Sequence, residues 1–304
     1  MVSVLVPVYQ YDVVGLVVSL SHQFNALGVG YEILVYDDCS AQEYKSKNRI
    51  LCDYAHVRYV ELDCNIGRSR IRNLLASEAR FENLLFLDCD VNLPDNDFVK
   101  RYLDYAAKFY VTVGGISYRS ERPRDSAKVL RWKYGHTREA QCAKLRNKRP
   151  YASFKTANFF ITKADFFRVR FSEAISGYGH EDTLFGYQLG QAGVAILHID
   201  NPVYHDGLED ASAFIAKSEQ AVANLYLLFQ SGELANSWKE IPLLRYYMHL
   251  KVLHLRYLAA VGYSILGALM RNLMQSRFSF VFLFNVYKLM YMSYVSIYGV
   301  SGKK

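Results

Sequence analysis

The chain has 304 residues, 51% of them apolar, and a formal net charge of +7. That length holds one large domain, or one domain with an appendage, around a sizeable core. Five cysteines (Cys39, Cys52, Cys64, Cys89, Cys142) form no CxxC pair and are odd in number, which argues against a zinc site and for free thiols in a reducing compartment. No Asp or Glu follows Glu240, whereas that tail carries eight basic residues: Arg245, Lys251, Arg256, Arg271, Arg277, Lys288, Lys303 and Lys304. Residues 1–240 therefore sum to −1, and a nucleic-acid-binding reading of the whole chain loses its support.

The N-terminus lacks a basic n-region, and Pro7 interrupts its apolar run, so it reads as a first strand over Val2–Val8 rather than a signal peptide. A helical pattern follows over Val13–Leu27, then a strand at Glu32–Tyr36 closed by Asp37-Asp38. Helix over Ala41–Tyr54, strand over Val57–Leu62, helix over Gly67–Ala79 and a buried strand at Leu84–Leu87 continue the alternation. This pattern predicts an α/β fold, a mostly parallel sheet flanked by helices, with ligands at the carboxyl ends of the strands. No GxGxxG follows the first strand and no GxxxxGK[ST] occurs, which excludes the dinucleotide and P-loop folds. Residues 110–200 read as strands and loops around a second half-site, with a helix at Glu181–Gln191 and a strand at Val194–Ile199; a long helix is expected over Glu209–Phe229.

The tail changes character. Two long helical patterns are expected near 241–274 and 278–299, with Arg245, His249 and Arg256 on one helical face. The apolar run Tyr257–Leu269 is too short to span a bilayer, and the run 278–300 carries Lys288 near its centre, at a cost of roughly 3 kcal/mol for insertion. The expectation is a basic, aromatic region lying on or dipping into an anionic membrane surface; the alternative is a helical subdomain packed on the enzyme or on a second subunit.

Three acidic clusters carry the chemistry. Asp88-Cys89-Asp90 follows a buried strand, where alternate carboxylates can reach one divalent cation that bridges a diphosphate. Alone, such a DxD equally reads as a strand end capping the next helix. His205, past a later strand, is a candidate further ligand; imidazole favours Mn²⁺ over Mg²⁺. Glu181-Asp182 opens a helix, where acidic residues are favoured by the macrodipole and where one of them could also serve as general base. Asp182 is the preferred base, with Glu181 a partner for the acceptor, although the reverse assignment stands open. Gly67 permits a turn into a helix on which Arg68 and Arg72 share a face, suited either to a pyrophosphate or to solvent. Asp38 could accept a uracil N–H and Tyr9 could stack on the base, or both could be structural.

These stretches, in order, resemble the family 2 glycosyltransferases with the GT-A fold. The resemblance covers roughly residues 1–230 and rests on Val2–Tyr9, Tyr36-Asp-Asp-Cys-Ser40, Asn65-x-Gly67 with Arg72-Asn73, Leu87-Asp-Cys-Asp90 and Gly177-Tyr-Gly-His-Glu-Asp182. The last stretch, with His205, resembles the branch of galactosyl- and N-acetylgalactosaminyltransferases and chondroitin-type synthases. What it implies is an inverting, metal-dependent transfer from a nucleotide-sugar, with UDP favoured, to a glycan or lipid-linked acceptor in bacterial surface polysaccharide synthesis. The donor site so implied draws on Pro7, Tyr9, Asp38, Gly67, Arg68, Arg72, Asp88, Cys89 and Asn158, the metal (Mn²⁺ or Mg²⁺) on Asp90 and His205, and catalysis on Asp182 and Glu181. Residues 1–230 are then the transferase domain, 231–304 a membrane-associating helical region, and the location cytoplasmic, on the inner face of the cell membrane. Processive synthases carry QxxRW after the acidic pair; here Arg131-Trp132 follows Lys128 and precedes Glu181, which argues against processive synthesis. The rivals are a nucleotidyltransferase, whose Gly-rich basic loop after the first strand is absent, and a non-catalytic membrane scaffold.

Overall fold

The computed structural model describes residues 1–106, 111–175, 177–234, 237–276 and 279–299. The chain divides into a sheet unit (Met1–Tyr118, Ala140–Ala174, Glu181–Gly207) and a helical unit (Arg119–Glu139, Ile175–His180, Leu208–Lys304).

In the sheet unit, β1 (Val2–Val8), β2 (Tyr31–Asp37), β3 (Val57–Glu61) and β4 (Asn83–Leu87) are parallel, joined through α1 (Val14–Leu27), α2 (Gln42–Asn48) and α3 (Arg68–Glu78). Then come β5 (Val91–Asn92), α4 (Phe98–Ala106), β6 (Val111–Val113) and β7 (Ile116–Ser117). After α5 (Val129–Tyr134), which belongs to the helical unit, follow α6 (Ala143–Arg146), β8 (Asn158–Thr162), α7 (Lys163–Val169), α8 (Glu181–Gln191), β9 (Ile196–His198) and β10 (Val203–His205). The main sheet has the order β3-β2-β1-β4-β8-β6-β9, with β8 antiparallel to both its neighbours. A small sheet, β5-β10-β7, hangs the segment after β4 onto His205's strand.

The strands are apolar on both faces because both faces are covered. Val2, Val4, Val6 and Val8 of β1 join Leu16, Val17, Leu20 and Phe24 of α1 in one core; Leu5 joins Leu34, Ile71, Leu75, Phe185 and Leu189 in the other. The expected α/β fold is present, and most element boundaries fall within two or three residues of their predicted places. The expected helix Ala41–Tyr54 is instead α2 plus a 3₁₀ turn at Arg49–Asp53. Asn48 explains the change: it is buried, accepts from Val13 N and donates to Tyr11 O, so the helix ends where that side chain turns inward. Residues 111–175 hold more helix than expected, including a π turn at Gly135–Glu139.

The helical unit packs α5 with α9 (Ala211–Gln230), α10 (Pro242–Val252), α11 (Arg256–Gln275) and α12 (Val281–Tyr298). Leu130, Phe214, Ile215, Met270, Met274, Phe284 and Tyr287 form its core. The first tail pattern is two helices, not one: His254 takes a left-handed φ of 59°, and α10 and α11 meet at 113°. Arg245 and His249 lie on α10 and Arg256 on α11, so the three do not share a helical face. Lys288 does not point outward. It donates to Tyr134 Oη at 3.1 Å and lies 4.7 Å from the Phe284 ring centre, so α12 turns its cation into its own unit. Among the described residues no single helix is long and apolar enough to cross a membrane; α10 and α11 meet that measure only as a bent pair. Arg277, Phe278, Val300, Lys303 and Lys304, which figure in the expectations for the tail, lie outside the described residues.

Charge follows the units. The sheet unit has 19 basic and 21 acidic residues, a net −2, and the helical unit 17 and 8, a net +9. The basic character is thus not confined to the tail, because the segment 119–139 folds with it and adds seven basic residues against three acidic ones.

Candidate active site

The acidic clusters, Tyr9 and His205 lie at or just past the carboxyl ends of strands or at the start of a helix, whereas Lys155 and Asn158 lie just before and at the amino end of β8. At the end of β2, Asp37 accepts from Ser40 N at 2.6 Å and from Tyr59 Oη at 3.2 Å. Asp38 accepts from Ile66 N at 2.7 Å and Gly67 N at 3.0 Å, one to each carboxylate oxygen. Burial pushes the Asp38 carboxyl up from its ordinary value, against the pull of those two backbone bonds. Gly67 has φ 86°, a conformation that requires glycine, and it delivers the chain into α3. Asp38 and Gly67 therefore shape the turn that starts α3. At the end of β1, Pro7 is half-buried within the strand, whereas Tyr9 is 53% exposed and presents its ring to solvent.

At the end of β4 the three residues of the DxD separate. Asp88 pairs with Arg72 at 2.5 Å, and Arg72, its side chain only 3% exposed, also donates to Arg68 O. Arg72 is thus an interior cation paired with Asp88, while Arg68, expected beside it for pyrophosphate, is the more exposed of the two. Cys89 remains a thiol, its pKa pushed up to about 12 by burial. Asp90 turns to β10, where its Oδ2 lies 3.2 Å from His205 Nε2. A Cβ added at Gly207 would stand 2.8 Å from Asp90 Oδ2, so glycine there leaves room beside the carboxylate. Burial raises Asp90, but the His205 hydrogen bond and charge, with Arg68, outweigh it and hold the carboxyl below its usual range.

At the start of α8 the acidic pair also separates. Glu181 is buried and meets Arg68 Nε at 2.5 Å. Its burial raises it, and the charges of Arg68 and Arg72 bring the net shift below the ordinary carboxylate value. Asp182 pairs with Lys155 Nζ at 2.7 Å. Lys155 is a residue that sequence reasoning did not single out; it lies 27 positions before its partner and no local pattern marks it. Asn158, expected to line the sugar site, is 1% exposed. Its Oδ1 accepts from Tyr102 Oη and Gly114 N, and its Nδ2 donates to Gly115 O and Asn201 O. Both ends of the amide are thus used internally, and they tie β8 to the turn at Gly114-Gly115 and to Asn201.

The two expected metal ligands are thus adjacent, and the carboxylates of Asp88, Glu181 and Asp182 are paired with Arg72, Arg68 and Lys155. An oxygen and an imidazole nitrogen, with space kept open by Gly207, suit Mn²⁺ and also Mg²⁺. Among the described residues no group of three or more His, Cys, Asp and Glu side chains gathers as for a metal, so further ligands would come from a bound diphosphate and water.

A family model described as Glycosyl transferase family 2 matches residues 3–170, more than half of the chain, from Ser3 of β1 through β8. The chain belongs to this family. A search of curated protein sequences gives no match. Solved structures show the fold of this glycosyltransferase. The mannosyltransferase PcManGT from Pyrobaculum calidifontis, in complex with GDP-Man and Mn²⁺, shares 16% identity over all of this chain and 88% of its own, with a TM-score of 0.56. S. aureus TarS 1-349 in complex with UDP shares 16% over 96% and 88%, at 0.52. Against the S. aureus TarS crystal structure the identity is 19% over 75% of this chain, at a TM-score of 0.51, and the match spans 43% of TarS. The parallel β3-β2-β1-β4 sheet flanked by helices is that of the GT-A glycosyltransferases.

Proposed function

We propose that this glycosyltransferase moves a hexosyl or N-acetylhexosaminyl group from a UDP-sugar to a hydroxyl of a glycan or lipid-linked acceptor, with inversion, in bacterial surface polysaccharide synthesis. The placement of Asp90 against His205 at the end of β4, with Arg68 close enough to lower both Asp90 and Glu181, is the observation that carries it. The neighbours that hold UDP, and GDP-Man with Mn²⁺, support a nucleoside-diphosphate donor, and the Gly177–Asp182 stretch with His205 supports the galactosyl- and N-acetylgalactosaminyl-type branch.

Asp90 and His205 would hold the divalent ion, which when bound neutralises the diphosphate as it leaves. Arg68 adds a fixed positive charge on the same side. Tyr9 offers its exposed ring to the base, and the turn set by Asp38 and Gly67 brings the N-terminus of α3 to the phosphates. Asp182 takes the proton of the acceptor hydroxyl, whose oxygen bonds to the anomeric carbon as the bond from that carbon to the phosphate oxygen breaks. Glu181 stays ionised against Arg68 and holds that guanidinium in place.

The test is a calorimetric titration of UDP and of GDP, with Mn²⁺ and then with EDTA. Metal-dependent UDP binding that is lost in Asp90→Ala is the expected result. A folded protein that binds neither nucleotide under any of these conditions would remove the basis of the proposal.

A further inference from the structure

α11 is apolar on two sides. Ala260, Gly267, Met270 and Met274 are buried within the helical unit. On the opposite side Leu258, Val261, Ile265, Leu266, Leu269 and Leu273 are 45–71% exposed. Leu258, Val261, Ile265, Leu269 and Leu273 are spaced by three or four residues, and Leu266 widens the same side, along about 22 Å of helix. A helix hydrophobic all round belongs in a core or in lipid, and a continuous exposed apolar face of this length marks a partner surface. At the bend before it, Val252 and Leu253 are 72% and 64% exposed, beside exposed Lys251 and His254.

Charge decides between partners. α10, α11 and α12 contain no Asp or Glu, and the unit they belong to carries +9. A second copy would bring a like-charged unit against the first. An anionic bilayer supplies both an apolar interior for the stripe and a negative surface for the cations around it. Arg271 of α11 turns inward to Glu219 and Tyr287, which leaves the outer stripe uncharged, and α12 carries no such stripe, since its residues from Leu283 to Ile297 are buried or half-buried; the lipid-facing helix is therefore α11.

We infer that the outer face of α11, led by the bend at Val252–Leu255, is a monotopic docking surface for anionic lipid that lies in the interface without spanning it. This deepens the proposed function by naming the surface on which a lipid-linked acceptor would be met, and it rests on that reading only for its purpose, not for its physics.

The experiment is flotation of the full chain with vesicles of phosphatidylcholine alone or with 30% phosphatidylglycerol. Wild type should float with the anionic vesicles and remain below with the neutral ones. Ile265→Glu combined with Leu269→Glu should reduce the floated fraction about tenfold or more. Unaltered circular dichroism and unaltered metal-dependent UDP-sugar hydrolysis would show that the variant is folded and that transfer chemistry is separate. No flotation of wild type, or a wild-type dimer by light scattering that the variant turns to monomer without any lipid dependence, would overturn the inference. Flotation without any donor hydrolysis would leave the docking surface standing and count against the transferase reading alone.

Discussion

Glu181 and Asp182 are neighbours in the chain, but the fold gives them different environments. Glu181 is buried under Arg68, a partner 113 positions away, which holds its carboxyl below the ordinary range. Asp182 meets an exposed lysine whose ammonium can swing aside when a hydroxyl arrives. Asp182→Asn should therefore lower transfer by about 10²–10⁴-fold while UDP affinity with Mn²⁺ stays within twofold of wild type. Turnover and calorimetry on the same preparation check this; affinity falling in step with turnover would sink the base assignment. The acidic clusters were legible in the sequence because each is local: Asp37-Asp38 and Asp88–Asp90 close apolar strands, and Glu181-Asp182 opens a helix after two glycines. Their partners were not: Arg72 for Asp88, Arg68 for Glu181 and Lys155 for Asp182 join through the fold, and nothing in their own surroundings distinguishes an interior cation from a solvated one.

At the scale of elements, the site depends on a crossing beneath it. Gly114 and Gly115 lie between β6 and β7, where the main sheet passes into the small sheet that carries His205. A Cβ at Gly114 would stand 2.2 Å from Asn158 Oδ1 and 2.3 Å from Asn201 O, both already hydrogen-bonded and buried. Gly114→Ala is expected to destabilise the sheet unit by roughly 2–3 kcal/mol, read from urea midpoints at unchanged m-value. An alanine variant as stable as wild type would mean that this crossing yields easily. Sequence periodicity placed the strands well, since strands apolar on both faces stand out, but it joined α10 to α11. Leu253, His254 and Leu255 continue the helical pattern, and nothing announces that His254, rather than a glycine, adopts a left-handed conformation.

At the scale of the whole molecule, the two units differ in their response to acid. His198, buried in the sheet unit, accepts from the Arg146 guanidinium at Nδ1 and faces Pro150 O through Nε2. Burial, together with the Arg146 charge, lowers its pKa to about 4. Its neutral form is the one that fits, so its stabilising contribution is complete above the unfolded value near 6.5 and is lost as pH falls from there toward 4. By pH 4.5 the loss is about 2–3 kcal/mol. Asp90, Glu181 and Glu32, all lowered, add to it as pH falls further through the carboxylate range, and Asp38, raised by burial, runs the other way. All five groups belong to the sheet unit. Differential scanning calorimetry at pH 7 and pH 4.5 should resolve the sheet unit as the transition that falls with acid, and saturating UDP with Mn²⁺ should raise that same transition, by about 2.7 kcal/mol at a hundredfold excess over Kd. His198→Gln should flatten its pH dependence. Equal acid shifts in both transitions, or the same slope in His198→Gln as in wild type, would show that the buried imidazole does not set the acid limit of this fold.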